Sequence, residues 1–323
     1  MRLYLLAVIA GCIPEPGGFS DAPPTIGSAY ADFRAPTPVT IEGYTGTAME
    51  PFITRDGGYL LFNNSNDASV DTNLRLARRI DATTFEYLGA ITGSDSASLD
   101  GVPTVSSDGT LYFVSTRDYD SSLSTIFSAT FAGETASAVA LVPNISRELT
   151  LVVNFDVEVS ADGDDLYFVD AGMNRDGVPQ HADLVLATRT TNGFARRTDD
   201  LLVNVNSTSL EYAAAISADE LELFFTRVDA VTADAMPTIY RATRTYLSEP
   251  FGIPQHVDAA EGFVEGPTVA SDGSLYYHRC VSGACSIYRI TRRSEPLAMT
   301  GPPRDVSVMR PSTNRARPAR ELV

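Results

Sequence analysis

The 323-residue chain has no tryptophan, and its 24 basic residues are all arginine; it has only three cysteines and three histidines. Each shortage excludes something. Without tryptophan the chain lacks the broadest aromatic platform for stacking on a sugar ring. With 41 acids against 24 arginines the formal net charge is −17, and a phosphate backbone needs a basic face, so nucleic acid is excluded as a partner. His181, His256 and His278 have no metal-ligand spacing, and no nucleophile elbow, phosphate loop or Ser-His-Asp signature is present. No metal and no cofactor are expected. The opening apolar run, Leu3 to Ala10, is far short of the about 20 residues that cross a bilayer, and charges and prolines follow it.

The first residues, MRLYLLAVIAGC, do form a short secretory signal with a positive charge at Arg2 and small residues before Cys12. Ile9-Ala10-Gly11-Cys12 resembles a bacterial lipoprotein box, which implies removal of residues 1–11, lipidation of Cys12 and a place in the cell envelope, at the outer membrane since Ile13 follows. Residues 12–38, rich in Pro, Gly, Ser and Ala, read as a flexible tether, and 309–323 as a disordered Arg-rich tail. Cys280 and Cys285 flank a turn between two strand-like runs and are expected to form a disulfide in an oxidising compartment.

What is present in abundance is a repeat. The phrases ITRDGGYLLF (from Ile53), VSSDGTLYF (from Val105), VSADGDDLYF (from Val159), ISADELELFF (from Ile216) and VASDGSLYY (from Val269) share an Asp, usually followed by Gly, before a run of Leu, Tyr and Phe. Their aspartates, Asp56, Asp108, Asp162, Asp219 and Asp272, are spaced 52, 54, 57 and 53 residues apart. Asp-Gly between two strand-like runs is a tight-turn signal. A second recurring run (NLRLARR, TIFSATF, DLVLATR, TIYRATR, SIYRITR) alternates as a half-buried strand does. Strand-rich units of this length stack radially, so 39–308 is expected to be all-β, a five-bladed β-propeller of four-stranded antiparallel blades. Aromatic residues such as Tyr167, Phe168, Phe224, Phe225, Tyr276 and Tyr277 belong to its core. Val39 to Glu42 is placed to close the ring, with Val306 to Met309 as the rival segment.

The phrase resembles the repeats of the propeller domain of TolB and related bacterial WD-like proteins. That resemblance implies the fold but not the partners, because the TolB propeller has six blades and an additional N-terminal domain.

In a propeller the first strand of each blade lines the central channel. An acid precedes each phrase: Glu50, Asp100, Asp156, Glu211 and Glu265. These five carboxylates are expected to converge on one mouth, with Arg117, Arg227 and Arg279 on the same face, as a candidate ligand-binding surface. The leading reading is a binding scaffold for an unknown envelope protein or glycan, held to the membrane only by its lipid. An arabinanase-type glycoside hydrolase, with Glu50, Asp156 and Glu211 as its acids, and a calcium-dependent adhesin are the alternatives.

Overall fold

The computed structural model describes residues 32–67, 70–229 and 235–293. Cys12, residues 1–11, the tail 309–323 and the segment Val306 to Met309 lie outside them. Apart from one turn of helix, α1 (Tyr119–Ser122), the elements are strands. Two short ones open the chain, β1 (Thr37–Pro38) and β2 (Thr40–Glu42). Five antiparallel meanders follow, one for each phrase. They are β3 (Met49–Ile53), β4 (Tyr59–Asn63), β5 (Leu74–Arg79) and β6 (Thr84–Ala90); then β7 (Asp100–Val105), β8 (Thr110–Ser115), β9 (Ile126–Ala132) and β10 (Thr135–Leu141). The third is β11 (Val152–Val159), β12 (Asp165–Met173), β13 (Pro179–Thr190) and β14 (Gly193–Arg196); the fourth β15 (Leu210–Ile216), β16 (Glu222–Val228), β17 (Thr238–Thr243) and β18 (Gln255–His256). The last is β19 (Phe263–Val269), β20 (Leu275–Val281) and β21 (Ala284–Ile290). The third and fourth share one sheet through the single parallel bridge Ala182↔Leu210.

Each phrase aspartate works as a turn lock. Its Oδ1 accepts the hydroxyl proton of Thr54, Ser106, Ser160 or Ser217 two residues earlier, and the backbone N–H two residues later, at 2.9 to 3.2 Å. The fifth unit has Ala270 at the hydroxyl position, and Ser274 donates to Asp272 instead. In four units the next residue is glycine at φ 72 to 85°, but in the fourth it is Glu220 at φ 57°. A side chain there is strained and the rest of the fold must hold it in place.

The five first strands pack each against the next, β3, β7, β11, β15 and β19, and β19 packs back on β3. The ring is closed by the N-terminal segment. Thr37–Pro38 pairs antiparallel with β21 in the last meander, and Thr40–Glu42 runs parallel to β6 in the first. Residues 32–38 therefore belong to the folded body rather than to a tether. Phe33 is the reason: it is buried, meets Phe224 edge-on at 5.8 Å, and lies beneath the Arg292 guanidinium at 5.0 Å. Arg292 in turn pairs with the fully buried Glu222 of β16. Cys280 and Cys285, opposite one another in the β20–β21 hairpin, are joined by a disulfide.

Between the meanders lie the aromatic second-strand residues, with Tyr167, Phe168, Phe224, Phe225, Tyr276 and Tyr277 all inaccessible to solvent. Phe33→Ala should cost about 3 kcal/mol, as for other buried phenylalanines. Urea unfolding of that variant is the check, and a loss below about 1 kcal/mol would mean that the strap does not close the ring.

Glu220 gives a second prediction. Half-buried, and facing Asp165, Asp162 and Asp164, it has its pKa raised to about 7, by burial first and those charges next. The folded protein thus holds a proton that the unfolded chain gives up near 4.5, and stability falls as pH rises through about 7. Glu220→Gly, the residue of the other four turns, should raise the melting temperature at pH 8 more than at pH 5.

Candidate active site

Every first strand breaks its ladder at the same place. The register slips between Met49 and Phe52, Gly101 and Thr104, Phe155 and Glu158, Tyr212 and Ala215, and Glu265 and Thr268. At each slip one residue adopts a left-handed backbone: Glu50 (φ 48°), Val102 (53°), Asp156 (48°), Ala213 (51°) and Gly266 (59°). All five stand six residues before their phrase aspartate. A bulge re-aims the side chain it carries, and here it does so around the axis. The repeated geometry carries five different residues, two of them acids.

Three of the five sequence-expected acids meet. Glu50, Asp156 and Glu265 line a cavity of 20 Å³ together with Asn66, Phe155, Met173 and Tyr212. That volume holds one water molecule. Asp100 and Glu211 stand eight residues before their aspartates, ahead of the bulge, and turn away from the cavity. Asp100 receives Arg117 at 2.7 Å and Ser96 at 2.8 Å; Glu211 receives Arg227 at 2.8 Å and the Ser207 hydroxyl. The expected ring of five is thus a group of three, and two of the arginines expected beside it are ion-paired scaffold. Arg279 lies over the Tyr288 ring at 5.7 Å.

The three acids are held differently. Glu265 accepts the Tyr212 hydroxyl proton on Oε1 and has His278 Nε2 3.2 Å from Oε2. The other imidazole nitrogen, Nδ1, accepts the Glu50 backbone N–H at 3.2 Å, which assigns the proton to Nε2 in this arrangement. Burial opposes a positive charge on His278, while Glu50 and Glu265 favour one and lift its pKa; taking up that proton would cost the bond from Glu50. Glu50 accepts the Asn66 amide at 2.7 Å. Burial raises its pKa, countered by His278 and reinforced by Glu265. Asp156 accepts the Ala213 N–H at 3.1 Å, and burial followed by the charges of Glu50 and Glu265 pushes its pKa well above its ordinary value. Burial and Glu265 likewise raise Tyr212, keeping it a hydrogen-bond donor.

Gly266 leaves room for Glu50. A Cβ there would stand 2.3 Å from Glu50 Oε2 and 3.0 Å from His278 Nδ1. On the far side of the acids a second cavity shares Glu50 and Asp156 and is lined by Pro51, Pro103 and Pro267, with Glu158. There Arg55 of the first meander reaches Glu158 of the third at 3.1 Å, and Thr104 of the second donates to the same carboxylate at 2.7 Å. Among the described residues no group of three or more His, Cys, Asp or Glu side chains is arranged to hold a metal ion.

His278, Tyr212, Asn66 and Met173 were missed in the sequence. A lone histidine or tyrosine in a strand reads as core, and only the offset from the phrase aspartate, known once the bulges are seen, sets Tyr212 level with Glu265, each seven residues before it.

No family model matches the chain, and no curated protein matches it. Solved structures do. A glycoside hydrolase superposes over 83% of this chain and 94% of its own, at 12% identity and a TM-score of 0.52. A family 117 glycoside hydrolase from the marine bacterium Zobellia galactanivorans does so over 81% and 90%, at 12% identity and 0.51. A putative TolB from Agrobacterium tumefaciens covers 73% of this chain and 71% of its own, at 14% identity and 0.40. At such identities the likeness is one of fold: the protein is an all-β propeller of the kind found in glycoside hydrolases.

Two variants test the seam. Gly266→Ala should cost about 2 kcal/mol or more, whereas Gly283→Ala, at φ 80° with open space around it, pays for backbone strain alone, about 1 kcal/mol. Equal losses would show that Glu50 does not lie against Gly266. For Asp156 the folded pKa exceeds the unfolded one, so its contribution is present below about pH 4 and lost as pH rises. Asp156→Asn should therefore gain stability relative to wild type between pH 5 and pH 8, read from urea midpoints.

Proposed function

We propose that the protein is a glycoside hydrolase built on a five-bladed propeller, each meander being one blade, and that Glu50, Asp156 and Glu265 are its working acids. One observation carries this reading. At a backbone position repeated five times, the side chains are not repeated, and the acids of three separate units are gathered on one water-sized cavity. A scaffold has no need to specialise there. Nor do the other two acids offer an open acidic mouth to a basic protein partner, since arginines occupy them.

The division of labour follows from the environments. Asp156, kept protonated by burial and by Glu50, is the acid that gives its proton to the leaving glycosidic oxygen. Glu265, oriented through Tyr212 and His278, is the base that takes a proton from the water in the cavity. Glu50 keeps Asp156 protonated. A sugar ring is far larger than the cavity, so it approaches from outside, past Asn66 and Met173. As a cell-envelope lipoprotein anchored at Cys12, the enzyme would meet glycans outside the cytoplasm.

A panel of neutral polysaccharides, including arabinan and galactan, should reveal reducing-end release by wild-type protein. Asp156→Asn should lower kcat by about 100-fold or more. Glu50→Gln should shift the alkaline limb of the pH profile to lower pH, because Asp156 loses the charge that raises it. Absence of cleavage across the panel, or cleavage untouched by Asp156→Asn, would overturn the reading. Cys12→Ser should move the protein from the membrane fraction to the soluble one.

A further inference from the structure

A groove in which β12 and β13 take part is separate from the acid cluster. It encloses 690 Å³, within the range of small-molecule sites. The β12–β13 hairpin divides the two places: Met173 at its tip lines the axial cavity, while Asp170, His181 and Asp183 line the groove.

Asp170 and Asp183 stand directly opposite each other on the two strands, a like-charged pair that would be unfavourable if both were left uncompensated. Asp170 is compensated. It accepts Arg147 Nε at 2.6 Å, Arg196 Nη1 at 3.1 Å and Asn154 Nδ2 at 2.7 Å. Asp183 has only His181 for electrostatic relief, and burial lifts its pKa, Asp170 adding to the rise. Arg147 is more than half exposed and reaches Asp170 through Nε. The Asp183 carboxyl and the Arg147 guanidinium thus both line the groove.

The apolar wall completes it. Leu149 and Val203, 53% and 59% exposed, are among the few large apolar side chains that the described residues leave in water, and both line this groove. A peptide strand cannot add to the β13 edge here, because the Asn206 side chain already takes both the N–H and the carbonyl of Leu184 at 2.9 Å. Charges of both signs argue against a strongly ionic ligand. A vicinal diol fits: each hydroxyl donates to a carboxylate and accepts from a guanidinium, while the C–H face of the ring covers leucine and valine.

We propose that this groove is a second carbohydrate site, one that holds a neutral saccharide through Asp183 and Arg147 against Leu149 and Val203 without cleaving it. It goes beyond the hydrolase reading, since retention here needs none of the three axial acids.

Native-gel retardation by soluble arabinan, galactan and xylan tests it. Wild-type protein should be slowed by at least one of them, and Asp183→Ala and Arg147→Ala should weaken that retention at least tenfold. Asp156→Asn should be retained as wild type is. Asp183→Asn, nearly isosteric, and Val203→Asp, at an exposed position, keep the test open if an alanine variant fails to fold; both should also weaken retention. Retention unchanged by the groove variants, or none on any of the three polysaccharides, overturns the proposal. Retention lost without loss of glycan cleavage supports the groove and leaves the axial acids their role. Cleavage never seen while retention persists would remove the hydrolase reading and keep this one.

Discussion

Everything at the axis depends on the seam between the first and last meanders. Glu50 comes from the first and Glu265, Gly266 and His278 from the last, and the bond from the Glu50 N–H to His278 is made only when β19 packs back on β3. Ring closure is therefore also site assembly. The strap from Phe33 to Pro38, pinned by Phe224, Arg292 and the strand pairing with β21, holds the last meander in register, and β2 ties the same segment to the first.

The bulges show how a repeat is made asymmetric. A left-handed residue in each first strand is a strain of order 1–3 kcal/mol that close packing around the ring must offset. With the backbone position fixed, substitution at that one position changes what the axis presents: a carboxylate from the first and third units, a methyl or a valine from two others, and in the fifth a glycine that makes room for Glu50. The acid of the fifth unit is displaced by one residue to Glu265, where it meets the Tyr212 hydroxyl from the neighbouring unit. Burial then sets the chemistry. Carboxylates nearly out of water with few donors rise in pKa, as Asp156 does with a backbone N–H as its donor.

The two ends of the axis differ for a physical reason. On one side of the acids the lining is Phe155, Met173 and Asn66, side chains that can change rotamer. On the other, prolines and the Arg55–Glu158–Thr104 contact join three meanders across the ring.

The sequence by itself determined the all-β class, the period, the turn-locking aspartates and the second-strand core, because those depend on local alternation and on one residue's bonds to its near neighbours. It also placed Glu50, Asp156 and Glu265 among the candidate acids. It did not separate them from Asp100 and Glu211, since a difference of two residues in a strand means nothing until a bulge falls between them and sends one side chain to the axis and the other to an arginine. The tether was read too long because Pro, Ala and Phe33 carry no periodicity, and Phe33 packs on residues far along the chain, Phe224 and Arg292 among them. His278, Tyr212 and the Asp170–Asp183 pair were decided by tertiary structure alone: each depends on which strands become neighbours around a closed ring.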